Sequence, residues 1–236
     1  SVNARLHRAS DNLNNDANTN TTKEQIYSGG LTLALPRAPV FGANYSINLT
    51  RSILESQNKE VINNRTDAYA TTLTHTFRPV TVGLSGQFSQ FKDLTNPTTS
   101  QDKDTITGAV RLDAPIASWL SGSGGVTLSA AKAKGGQQVE DKSNTYTLSM
   151  NVKLVPNRLG LLTFGNLVDR NKPADTALVT PKVETRQMSG NAELTYTISQ
   201  TFAFTLGGGL TQVRDKIDEK NDLDELTGTS RLTVSF

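Results

Sequence analysis

The stretch TYTLSMNVKL, Thr145–Leu154, alternates without a slip. Tyr146, Leu148, Met150, Val152 and Leu154 are apolar. Thr145, Thr147, Ser149, Asn151 and Lys153 are polar. A repeat of two is the signature of a β-strand whose faces differ in chemistry. The apolar face demands an apolar neighbour, which is either a protein core or lipid. Alternation alone does not say which.

The same pattern recurs along the chain. Apolar and small residues alternate with polar ones over 41–50, 80–89, 105–112, 187–198, 202–211 and 226–236. Less regular segments at 2–9, 25–35, 66–78, 119–132 and 158–168 complete a set of about twelve strands, an even number. The segment 158–168 carries Leu159, Leu161, Leu162 and Phe164, which do not alternate, so its faces stay unassigned. No stretch sustains a helical period.

The connections fall into two alternating classes. Short ones lie at Pro36–Val40, Arg78–Val80, Pro115–Ser118, Val155–Arg158 and Ser199–Thr201. Long polar ones lie at Ser10–Glu24, Glu55–Arg65, Lys92–Asp104, Lys134–Ser143, Asp169–Thr185 and Arg214–Glu225. Short turns on one rim and long loops on the other describe an up-and-down meander. They also describe the two sides of a transmembrane β-barrel.

Three observations turn the apolar face towards lipid. The polar face is built of Thr, Ser, Asn, Gln and Gly, whereas a water-washed sheet usually carries Lys and Glu. The aromatic residues gather at strand ends. Phe41, Phe77, Trp119, Tyr196, Phe202, Phe204 and Phe236 lie near the short turns, and Tyr27, Tyr69, Phe88, Phe91 and Tyr146 near the long loops. Two belts separated by aliphatic residues match the headgroup levels of a bilayer. Finally, the chain ends on TGTSRLTVSF. Leu232, Val234 and the terminal Phe236 resemble the C-terminal signal strand of bacterial outer-membrane proteins, with Gly228 displaced from the usual glycine position. Nearly the whole chain resembles outer-membrane β-barrels. That resemblance implies an integral outer-membrane location, lipid around the barrel and the barrel-assembly machinery as a biogenesis partner. The expected fold is therefore all-β: one transmembrane up-and-down antiparallel barrel domain over 1–236.

Bulk composition fits this reading. Twenty-four Lys and Arg face 22 Asp and Glu, for a net charge of +2, which implies no general attraction to nucleic acid. There is no cysteine, hence no disulfide framework. Mean hydropathy is −0.40, and the uncharged run of most interest, Ala114–Ala131, is too rich in Gly, Ser and Ala for a spanning helix. The start at Ser1 without a signal peptide leads us to expect a processed form or the C-terminal domain of a longer protein.

Signals of catalysis are poor. His7 shares parity with lumen positions, and His75 shares parity with Leu73 and Phe77 beside the short-turn rim. No nucleophile elbow, P-loop or dinucleotide fingerprint occurs. Two histidines and no cysteine argue against a transition-metal site. The acidic run at 214–225 lacks EF-hand spacing and reads as a solvated loop. The glycines of GSGGV and LGGGL sit inside strands, where they allow bends or leave lumen space. We therefore expect no enzyme, no cofactor and no metal.

Candidate lumen charges are Arg5, Arg111, Lys153 and Arg231 against Asp113 and Glu193. They either tilt a channel towards anions or pair and hold the wall. No strand clearly carries bulky inward residues, so an open lumen is expected, free or filled by a partner. The leading functional reading is a conduit for solutes or an exported polymer. The alternatives are a barrel anchor or sleeve subunit of an envelope complex, and an outer-membrane lipid hydrolase, which lacks a credible triad.

Overall fold

A computed structural model describes residues 2–10, 20–54, 59–95, 102–134, 140–174 and 181–234, with side chains of 2–10, 20 and 54 left aside. Parts of the five loops at 11–19, 55–58, 96–101, 135–139 and 175–180, together with Phe236, lie outside the described residues.

The strands are β1 (Val2–Ser10), β2 (Asn20–Leu33), β3 (Val40–Leu54), β4 (Lys59–Phe77), β5 (Val80–Asp93) and β6 (Lys103–Ala117). They continue as β7 (Leu120–Ala133), β8 (Glu140–Val155), β9 (Leu159–Lys172), β10 (Val183–Thr197), β11 (Phe202–Asp215) and β12 (Leu223–Val234). A 3-10 turn, Glu219–Asn221, interrupts the last connection. All strands join one sheet in chain order, each antiparallel to the next. Among the described residues β1 and β12 are the two edges, and no pairing joins them.

Strands run further towards the long loops than their apolar pattern. β4 begins at Lys59 where the alternation suggests 66, and β9 ends at Lys172 where it suggests 168. The reason is physical. Periodicity is visible only while one face is apolar, but the backbone ladder continues once both faces are polar. The short turns carry their own signals. Asn157 takes a left-handed conformation at φ 59°, which asparagine tolerates, and Arg37 takes one at φ 63°, which arginine does not favour.

Directly paired residues share a face. Following the registers from β2 to β12 puts Tyr27, Ile47, Tyr69, Phe88, Ile106, Val126, Tyr146, Leu167, Met188, Leu210 and Leu226 on one side. Among the described residues no second layer covers that side. Among the described residues no hydrophobic side chain is buried, and Leu148 is 58% exposed, Leu206 53% and Ile106 61%. A sandwich would cover this face with a second layer. Here the small polar side chains are the better covered ones: Thr205 keeps 7% of its surface between Phe204 at 41% and Leu206 at 53%.

Candidate functional site: a hydroxyl wall and an aromatic girdle

The polar side of the sheet is a carpet of small hydroxyl and amide side chains. Many bond across strands. Ser123 and Ser149 hydroxyls lie 2.7 Å apart, Thr195 and Thr205 lie 3.2 Å apart, and Thr107 donates to Ser129 at 3.3 Å. Such cross-strand pairs fix the register while leaving the wall short-sided.

Most of the expected lumen charges sit on this wall. Arg111 and Asp113 follow one another on the same face of β6 and pair at 2.9 Å. Glu193 on β10 reaches Arg231 on β12 at 3.5 Å, passing over β11. That crossing needs Gly207, which lies opposite both Glu193 and Thr229. A Cβ there would come within 2.7 Å of the Thr229 hydroxyl. Lys153 lies opposite Gly160 and makes no ion pair among the described residues. Arg5 occupies the register position opposite Ser28, on the same side, and His7 the one opposite Ile26. Of the expected wall charges with described side chains, four form two neutral pairs, and Lys153 stands without an ion pair among the described residues.

The register also settles β9. Leu159, Leu161 and Leu167 pair with apolar-side residues, whereas Leu162 and Phe164 lie opposite Asn151 and Ser149 on the polar side. This corrects the expectation of a wall without bulky residues: Leu162 is 48% and Phe164 41% exposed there. A run of four closely spaced apolar residues cannot be split between faces from sequence. Pairing with two neighbours of known parity splits it at once.

The girdle residues Tyr27, Phe41, Tyr69, Phe77, Phe88, Tyr146, Tyr196, Phe202 and Phe204 share the apolar side, and the turn residue Trp119 is 54% exposed. Phe91 does not join them. It pairs with Thr66 and Lys103 and therefore belongs to the polar side. Counting along the strand from Phe88 shows the parity change. Tyr45, by contrast, belongs to the girdle and stacks on Tyr69 at a centroid distance of 4.7 Å, and Tyr69 on Phe88 at 6.3 Å. His75 packs edge-on against Phe77 at 4.4 Å on the same side.

One carboxylate stands on the apolar side beside this stack. Asp67 is only 5% exposed. It accepts hydrogen bonds from Tyr45 Oη, Arg65 Nε and Arg65 Nη2, each at 2.8 Å. The charge is tolerable there because three hydrogen bonds, two of them from the Arg65 guanidinium, meet its two oxygens. Asp67 lies inside the strand expected at 66–78, and Arg65 is the last residue of the connection expected over Glu55–Arg65.

The glycines divide between the faces. Gly125, Gly207 and Gly209 are on the polar side, but Gly122, Gly124 and Gly208 are on the apolar side. Lumen space therefore explains only part of GSGGV and LGGGL. The acidic run after β11 is consumed locally. Asp215 accepts from the backbone N–H of Ile217 and Asp218, Asp218 from that of Lys220, and Arg214 pairs with Asp224 at 2.7 Å. Leu232 and Val234 of the last strand lie on the apolar side. All of β12 is exposed on both faces.

An uncovered apolar face with an aromatic girdle, backed by a hydroxyl wall in a meandering antiparallel sheet, defines the fold of outer-membrane β-barrel proteins. Solved structures of outer-membrane proteins are similar to this chain, and the first of those that follow agrees on the fold. The siderophore receptor PirA from Pseudomonas aeruginosa superposes with a TM-score of 0.62 at 15% identity, over 97% of this chain and 38% of the receptor chain. The ferripyoverdine receptor of the same organism, bound to ferripyoverdine, gives 0.39 at 10% identity over 89% and 52%. KdgM porin in complex with disordered oligogalacturonate gives 0.33 at 9% identity over 100% and 99%. The chain spans 38% of the length of the PirA chain it matches. No protein-family model and no curated protein sequence matches it.

Proposed function

We propose that this chain is an integral outer-membrane protein whose sheet closes β1 against β12 into a single twelve-strand barrel, serving as a conduit with a near-neutral polar lumen. The observation that carries the reading is the pairing of an entirely uncovered apolar face with a polar face of small hydroxyl and amide residues. Lipid alone can cover the first, and backbone groups at a free edge must then find partners, which closure supplies.

The accumulated register supports closure. A line through paired residues starts at Val2, at the short-turn end of β1, and passes Leu31, Ala43, Thr71, Gly86 and Gly108. It continues through Leu128, Asn144, Asp169 and Arg186 to Arg214, at the loop end of β11. The next position, Asp222, lies just before β12. Closing Val2 on Val234 therefore offsets the ends by the 12-residue length of β12. One residue of offset per strand, at a rise of ~3.3 Å and a spacing of ~4.8 Å, tilts the strands by about 35°. Membrane barrels tilt by about 35–45°. The better coverage of the polar side chains also fits a sheet curved with that face inward.

The test is conductance. Purified protein added to a planar bilayer should give stepwise ohmic currents. Folded, membrane-inserted protein without current would overturn the conduit. A second reading has its own support: the superposition on 38% of a larger barrel fits an arc of a wider wall, completed by another segment or copy. Chain stoichiometry of the assembly in lipid separates the two, one chain for the first and more for the second.

A further inference from the structure

The polar wall carries a compact apolar island on β9. Leu162 and Phe164 stand two residues apart on the same face, both well exposed. Their cross-strand neighbours are all hydrogen-bonding residues. Phe164 lies between Ser149 and Asn191, and Leu162 between Asn151 and Glu193. Directly opposed side chains have Cβ atoms about 4.5–5.5 Å apart, so a group lying on the Phe164 ring is within reach of both flanks. One step along β9, the carboxamide oxygen of Asn166 is buried without a hydrogen-bond partner among the described residues. That amide is not committed to the wall's own network.

An exposed phenyl ring on a hydrophilic wall costs free energy unless something covers it. Covering it for stability would take a second apolar layer, and there is none. The surrounding charge also restricts the occupant. Glu193 is neutralised by Arg231, and Arg111 by Asp113, which leaves Lys153, opposite Gly160 and next to Leu162's neighbour Asn151 on this face, as the one expected wall charge with a described side chain that has no ion pair among the described residues. The wall thus offers an aromatic platform bordered by amides and hydroxyls, with a single lone cation nearby. A pyranose ring is the complement: one face of polarised C–H groups for the negative face of the ring, and a rim of hydroxyls that both donate and accept, for which the Lys153 ammonium is one more donor. Polyanionic solutes find one lone cation and no cluster, and purely apolar solutes leave the bordering amides unsatisfied.

We propose that Leu162 and Phe164, with Asn191 and Glu193 at their border, form a subsite for a neutral oligosaccharide on the lumen wall. The assignment rests on the conduit reading, because it places this face inside the barrel. Phe164 supplies stacking, Leu162 extends the platform to a second sugar ring, and the flanking side chains orient the hydroxyls.

The test records single-channel current while maltohexaose is added. Maltohexaose should interrupt the current in a concentration-dependent way. Phe164→Thr should weaken that block about tenfold while retaining sugar-free conductance, and Phe164→Tyr should keep it. Equal block in the parent and Phe164→Thr overturns the subsite, as does block by oligogalacturonate alone or by an apolar aromatic solute alone. Absence of sugar-free current overturns the conduit instead. In that event calorimetric titration of maltohexaose into the detergent-folded protein decides the subsite: heat lost in Phe164→Thr supports it, and no heat in the parent overturns it.

Discussion

Strands β8 and β9 are neighbours in the sheet and opposites in sequence style. β8 alternates throughout 145–154, so its pattern alone separates a lipid stripe from a wall. β9 packs Leu159, Leu161, Leu162 and Phe164 together and hides its faces. The ladder between them shows that β9 is no less two-sided. It places two large apolar residues on the side that every other cue reserves for polar ones. A strand that satisfies only the bilayer needs alternation and nothing more. One that departs from alternation on the lumen side is free to do so, because the lumen imposes no hydrophobic requirement. The departure then marks a place where the wall meets something other than water.

The largest expected effects come from arginine scanning across this pair. Arginine on a lipid face near midplane costs about 2–4 kcal/mol, and on the lumen side little. Leu148→Arg should therefore destabilise the protein by about that much while Ser149→Arg leaves it folded, as read by urea unfolding in lipid vesicles. Leu161→Arg and Leu162→Arg sharpen the comparison, since they change identical residues. The first should behave like Leu148→Arg and the second like Ser149→Arg. Equal losses in both would break the face assignment of β9.

A smaller effect concerns the charge pair beside β9. Removing Glu193 leaves Arg231 unpaired on the wall, and removing Arg231 leaves Glu193. Reversal potentials in a salt gradient should shift towards anion preference in Glu193→Gln and towards cation preference in Arg231→Gln. Shifts of the same sign would show that the two charges do not share one lumen. Gly207→Ala tests the space that lets them meet. Its Cβ would crowd the Thr229 hydroxyl, so a loss of about 1–3 kcal/mol is expected in the same unfolding assay, against no loss at the roomy Gly108. The smallest effect lies far from both strands. Arg37→Gly relieves a left-handed φ in the first short turn and should raise stability by about 0.5–1 kcal/mol.

Much of the fold was legible because period two is a local property. The strands, the alternation of short and long connections and nine of the girdle positions on strands follow from residues close together in the chain. The wall charges were legible as positions but not as pairs. Glu193 and Arg231 are 38 residues apart, and only the intervening register brings them to 3.5 Å. Asp67 was hidden for a related reason. It lies in the strand expected at 66–78, but its partner Tyr45 is on β3 and comes to it only through the register. Phe91 was misplaced because proximity to a strand end was weighed before parity.

By itself, the sequence determined that this protein is a two-faced β-meander with small polar residues on one side. Side-chain direction in a strand depends on the residue's own parity, so no partner is needed to know it. The tertiary structure decided that no second layer covers the apolar side, that the wall charges pair, and that Leu162 and Phe164 stand on the polar side. The last two are register properties. A shift of one residue between two strands would reverse both, and only the pairing of distant segments fixes that shift.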